Sequence, residues 1–200
     1  LIFLSGVVFY VVPVPQTLPQ GVALVILAFV VEFMIGYLIG FTMDLLISGI
    51  EFAGNIMDTQ AGLSVASTLD PSSGRNMALL AMLLKNCSVI MFLIIDGHHL
   101  ILAAIVNSFE LIPICSTPDL AQPMYTVLQF ATFIFFVGVQ LSAPILLIIF
   151  MVDFGLGILN KVAEQINVFQ LGFQVKPIVS LIIFLAVVPG LVSAIMKILE

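Results

Sequence analysis

Residues 54–76 read GNIMDTQAGLSVASTLDPSSGRN, a polar, glycine-bearing interruption in a chain that is otherwise almost entirely apolar. Hydrophobic residues make up 62% of the sequence and charged residues 8%, with a mean hydropathy of +1.31, whereas a soluble domain carries about 25% charge. The composition predicts an all-α, multi-helix, membrane-associated protein. In such a protein an irregular polar segment must be buried in protein or line a path through it, because lipid cannot satisfy a free backbone.

The apolar runs outward from this segment predict a series of helices. A first helix is expected to end near residue 12, where three prolines follow. The chain starts at Leu1 within an apolar run, so we expect a further piece of the protein to precede it. Long apolar helices are predicted at 21–57, 77–95, 124–152 and 177–196. A shorter apolar run at 100–112 is typical of half a span or a re-entrant helix. The polar connections between them are predicted at 58–76, 113–123 and 153–176.

Acidic side chains lie inside the second predicted helix. Asp44, Glu51 and Asp58 are seven residues apart, which places them near one helix face, and a central charge costs roughly 2.5–3.5 kcal/mol on membrane-insertion scales. The five basic residues give no clear orientation by the positive-inside rule. The acidic face is therefore predicted to pack on neighbouring subunits, or alternatively to belong to a helix that ends in water.

Other polar features have less specific interpretations. Gly36 and Gly40 have the GxxxG spacing that admits a close helix neighbour, although apolar helices often contain it by chance. Cys87 and Cys115 lie beside apolar runs and are predicted to be buried thiols rather than a disulfide. The net charge of −6 argues against nucleic acid, which needs a basic surface.

The cluster Asp96-Gly97-His98-His99 invites a metal interpretation. Adjacent helix positions point about 100° apart, so two neighbouring imidazoles rarely bind one ion without a distant third ligand. We expect instead a turn or helix start that the Asp96 side chain caps. No metal, cofactor or catalytic site is predicted, because protease, hydrolase and phosphate-binding motifs are absent. An ion-coupled transporter stays open as an alternative, since intramembrane acids are common in that class.

Short polar motifs recur along most of the chain. They are Ala53-Gly54-x-x-x-Asp58-x-Gln60-x-Gly62-Leu63-Ser64-x-Ala66, Asp70-Pro71-x-x-Gly74, Asp96-Gly97-His98-His99, Ser108-Phe109 with Ile112-Pro113, Ala143-Pro144, Asp153-x-x-x-Gly157 and Gln165-Ile166-Asn167-Val168-Phe169. Taken together, these motifs resemble the FliR family, export-gate proteins of the flagellar type III secretion system. The resemblance covers about residues 20–195, and virulence-system (injectisome) relatives share the plan. One departure is Glu164, where family members usually have proline.

The resemblance implies a non-enzymatic subunit of a helical, hetero-oligomeric export gate in the bacterial inner membrane, at the flagellar basal body. Its partners would be several copies of FliP and FliQ, together with FlhB and, transiently, unfolded export substrates. It implies bent helical hairpins in a single export-gate domain, with a FliP-like part at 1–112 and a FliQ-like hairpin at 124–200.

The resemblance also implies that the plug loop, residues 59–76, closes the pore. Small residues allow the loop to pack tightly and rearrange, and its glycines allow backbone angles that other residues avoid. Without the resemblance, an ordinary helix connection would explain the loop. The predicted gate residues are Gln60, Gly62, Leu63, Ser64, Val65, Ala66, Asp70, Pro71 and Gly74. The predicted subunit contacts are Asp44, Glu51, Asp58, Asp153, Asn167 and Phe169, with a polar ordered turn expected over 165–173.

Overall fold

A computed structural model describes residues 21–63, 78–113, 121–163 and 165–199, and every regular element in these ranges is an α-helix. The prediction of an all-α protein is confirmed. The expected helix before residue 12, Cys115, Glu164 and most of the plug loop lie outside the described residues. The helices are α1 (Val22–Ala61), α2 (Leu79–Ile94), α3 (Gly97–Leu111), α4 (Ala121–Val162) and α5 (Val168–Leu199).

The helices are suited to a membrane by length and composition. α1, most of α4 and α5 are each long and apolar enough to cross a bilayer, and α2 and α3 pass the same test only when taken together as one broken span. A membrane-crossing helix needs about 20 apolar residues, and these helices have 40, 42 and 32 residues. The chain is therefore a helical membrane protein.

The predicted ends of α1, α4 and α5 are wrong, because these three helices extend further than expected. α1 continues to Ala61, and the polar connection expected over 153–176 is reduced to the few residues between Val162 and Val168. Polar side chains do not by themselves end a helix, because its backbone hydrogen bonds are made within the helix. Asp153 and Lys176 thus lie in α4 and α5 instead of a loop.

The start of α3 also differs from expectation. Asp96 precedes the helix with a left-handed backbone (φ 57°), and its carboxylate makes no capping hydrogen bond. The predicted side-chain cap at Asp96 is wrong. The His99 backbone N–H instead donates to the Asp96 carbonyl at 2.9 Å.

The described residues form two compact units. Among these residues, unit 1 comprises 21–45, 93–113 and 121–132, and unit 2 comprises 46–63, 78–92, 133–163 and 165–199. Unit 2 contains the apolar core, which draws on four helices. Its largest fully buried apolar side chains are Ile50, Met57, Leu80, Ile145, Ile149 and Ile195. In the described part of unit 1 only Gly97 is buried.

Small residues let the helices of unit 2 approach closely. A Cβ atom on Gly54 of α1 would lie 2.6 Å from the backbone nitrogen of Ala81 in α2. A Cβ atom on Gly138 of α4 would lie 3.0 Å from the carbonyl oxygen of Gly49 in α1. The GxxxG glycines behave differently, since the space beside Gly36 and Gly40 is open within 4 Å.

Candidate functional site

The C-terminal end of α1 is joined to the N-terminal end of α2 by one buried carboxylate. Asp58 is 1% exposed, and its two oxygens accept hydrogen bonds from the backbone N–H groups of Leu80, at 3.1 Å, and Ala81, at 3.0 Å. The first N–H groups of a helix have no partner within the helix, and negative charge is favourable at this end. Asp58 therefore caps α2 from another helix, and we call this contact the Asp58 clamp.

The Asp58 clamp is a contact within the chain that the sequence did not predict. Asp58 was expected at a subunit contact, but its carboxylate is satisfied within the chain. The acids on this face of α1 become more buried toward its C-terminal end: Asp44 is exposed, Glu51 is half-buried and Asp58 is buried. Glu51 forms an ion pair with Lys85 of α2 at 2.7 Å, a second link between the same two helices. The role at subunit contacts stays a prediction for all six residues: Asp44, Glu51, Asp58, Asp153, Asn167 and Phe169.

A polar cavity of about 620 Å³ lies beside the end of α1. An ion pair between Asp153 of α4 and Lys176 of α5 forms part of its wall, with 2.5 Å between Oδ1 and Nζ. The residues that line the cavity with polar side chains are Thr59, Gln60, Asp153, Asn160, Asn167 and Lys176. These amide, hydroxyl and charged groups provide donors and acceptors for non-covalent contacts.

A side-chain cap stabilises the start of α5, where the connection from α4 ends. The side-chain Oδ1 of Asn167 accepts a hydrogen bond from the Gln170 backbone N–H at 3.2 Å, which is N-capping geometry at the start of α5. The polar turn expected to extend to Phe173 ends earlier, because Phe169 and Phe173 lie on α5 with their rings edge to face at 4.7 Å. Phe169 is 76% exposed, so its ring is available to a neighbour.

The predicted gate residues are only partly described. Gln60 and Gly62 line the polar cavity, and Gly62 has φ +74°, a conformation that favours glycine. Leu63 follows directly and is half-buried. The other gate residues, Ser64, Val65, Ala66, Asp70, Pro71 and Gly74, lie outside the described residues, and the role of the whole set stays a prediction.

Comparisons with known proteins give a consistent family signal. A family model described as "Bacterial export proteins, family 1" matches residues 1–200. The chain is 30% identical over 149 residues to the flagellar biosynthetic protein FliR of Escherichia coli (strain K12), covering 74% of this chain and 57% of that protein. It is 32% identical over 148 residues to FliR of Bacillus subtilis (strain 168), covering 70% and 56%.

A relative with a different name is also similar. The surface presentation of antigens protein SpaR of Shigella flexneri is 28% identical over 130 residues, which cover 65% of this chain and 50% of that protein. The chain spans about half the length of the curated relatives it matches.

Proposed function

Because this chain belongs to the bacterial export proteins of family 1, we propose that it is a subunit of a flagellar type III protein export apparatus. In this proposal it helps to form and close the central gate through which unfolded flagellar proteins pass, and it performs no catalysis. The similarity to proteins named as flagellar biosynthetic FliR supports the flagellar assignment. The similarity to SpaR supports an injectisome homologue as the second candidate.

The Asp58 clamp is the observation that carries the gate proposal. The carboxylate holds Leu80 and Ala81, at the start of α2, against the last turn of α1. The helix before the plug loop and the helix after it are therefore joined through one buried side chain. In this proposal, a rigid base of this kind holds the two helices in place when the gate opens. The left-handed Gly62 provides a change of backbone direction where α1 ends.

Incomplete burial of the helices supports assembly with other subunits. Only 6% of the most apolar window of α1 is buried, and Phe29 and Phe33 are 77% and 70% exposed. Such faces need lipid or protein against them. We propose that several copies of FliP and FliQ, with FlhB, cover part of this surface, and that the assembly lies in the bacterial inner membrane at the flagellar basal body.

Co-purification tests the assembly part of this proposal. The tagged protein, expressed with its neighbouring export genes, should purify from membranes as a defined multi-subunit complex and should restore motility to cells that lack their flagellar relative. Restoration of injectisome secretion without motility would favour the second candidate. An active transporter that purifies as a single subunit would contradict the export assignment.

Ion leak tests the gate part. Deletion of residues 64–74 leaves Asp58, Leu80 and Ala81 in place, so the complex should still assemble. It should then pass ions or dye across the membrane faster than the parent complex, because a hydrophobic constriction excludes ions by dewetting. Glu110→Gln, which changes an exposed acid outside the predicted gate and subunit contacts, is the matched control and should not leak. A deletion variant that assembles and leaks no more than the parent would show that the loop is an ordinary connection.

A further inference from the structure

Asp96, His98 and His99 gather their side chains at the break between α2 and α3. One potential ligand atom from each residue lies within 4.8 Å of the others, and the Asp96 carboxylate is 3.6 Å from Nδ1 of His99. The two imidazole rings are 4.2 Å apart between centroids. These are the only two histidines in the chain.

The backbone explains how neighbouring residues come together here. Two adjacent imidazoles on a regular helix diverge, and a third ligand would ordinarily come from far away in the sequence. The left-handed conformation of Asp96 (φ 57°) turns the chain immediately before the helix and brings the carboxylate over the first turn. A non-glycine residue in this region is strained, and such outliers cluster at functional sites.

An unsatisfied atom provides independent support. Nδ1 of His98 is buried and has no hydrogen-bond partner among the described residues. A buried polar atom without a partner is costly, and a neutral imidazole nitrogen can recover this cost by coordinating a metal ion.

We propose that Asp96, His98 and His99 form a binding site for a divalent transition metal ion of the zinc class. Two imidazole nitrogens and one carboxylate oxygen are a donor set that zinc accepts, with bonds of about 2.0–2.2 Å and one position left for water. Asp96 and His99 have side chains that are 73% and 70% exposed, so they can rotate by the small amount needed to close on one ion. The site shares no residue with the polar cavity and does not depend on the proposed export function.

Zinc titration of the purified full chain tests this site. The chain should carry a tag without histidine and should be studied in detergent with a competing chromophoric chelator. One Zn²⁺ should bind per chain, and His99→Ala should weaken binding roughly tenfold or more, the size of effect seen even for residues that only support a ligand. Glu110→Gln removes an exposed acid from the same helix and should leave binding unchanged.

Asp96→Gly separates a ligand role from a structural one. Glycine adopts the left-handed conformation without strain, so this variant should keep its helical circular dichroism and thermal stability while its affinity for Zn²⁺ falls. Electron paramagnetic resonance of bound Cu²⁺ should show coupling to two nitrogens, and to fewer in His99→Ala. Absence of saturable Zn²⁺ binding, or equal binding by the parent, His99→Ala and Asp96→Gly, would overturn the proposal.

Discussion

Replacement of Asp58 by alanine removes the clamp between α1 and α2 without touching any other described contact of the two helices. The carboxylate accepts from Leu80 N–H at 3.1 Å and Ala81 N–H at 3.0 Å, and all of this lies in the buried core of unit 2. Alanine has no acceptor, so both amide groups at the start of α2 lose their partner in a place that water does not reach.

The size of the effect follows from these two donors. Leaving one buried donor unsatisfied costs about 1–3 kcal/mol, and the two together give about 2–6 kcal/mol. Part of this loss is offset because the variant no longer buries a carboxylate, so we expect a net destabilisation of about 2–4 kcal/mol. For a chain of this size each kcal/mol lowers the melting temperature by about 2–4 °C, so the expected decrease is about 4–16 °C.

Two measurements on the purified protein in detergent check this prediction. Thermal unfolding followed by circular dichroism gives the change in melting temperature, and amide hydrogen exchange followed by mass spectrometry should show faster exchange at Leu80 and Ala81. Asp58→Asn keeps one acceptor and should fall between the parent and Asp58→Ala. Asp44→Ala is the matched control, because this acid is exposed on the same helix and should change stability by less than about 0.5 kcal/mol.

The reasoning is refuted if Asp58→Ala and Asp44→Ala melt at the same temperature. It is also refuted if exchange at the start of α2 is unchanged, because the clamp would then contribute nothing to the order of that helix.

Two further predictions concern helix contacts in unit 2. Gly54→Ala should lower the melting temperature, because the new Cβ would lie 2.6 Å from the backbone nitrogen of Ala81 and moving a backbone is costly. Gly36→Ala is the control and should be neutral or slightly stabilising, because the space beside Gly36 is open. Equal changes in melting temperature for the two variants would contradict the close approach of α1 and α2. A double-mutant cycle with Asp153→Asn and Lys176→Gln, measured by thermal unfolding, should give a coupling free energy of about 0.5–1 kcal/mol for this ion pair. The value is modest because both side chains are partly exposed. A coupling free energy of zero would mean that the pair does not stabilise the α4–α5 hairpin.

Several features of this protein could be read from the sequence because they depend on local chemistry. Long apolar runs are compatible with lipid only as helices, so the helical class and the spans were predictable. The need for a flexible backbone at Gly62 was also predictable, because the residue type itself carries that information. The ends of α1, α4 and α5 were not, since polar residues such as Asp153 can remain in a helix when a partner on another helix accepts them.

The sequence by itself determined that this is a helical membrane protein with acids that require a partner. The tertiary structure decided which partners Glu51, Asp58 and Asp153 have within the chain. Asp58 and the first turn of α2 are more than twenty residues apart, and nothing in the spacing of Asp44, Glu51 and Asp58 distinguishes the buried acid from the exposed one. The left-handed backbone at Asp96 is likewise not evident from the residue type, and it accompanies the approach of the carboxylate to within 3.6 Å of Nδ1 of His99. Hydrogen bonds act over a few ångströms in space, so residues distant in sequence become partners only when the helices have packed.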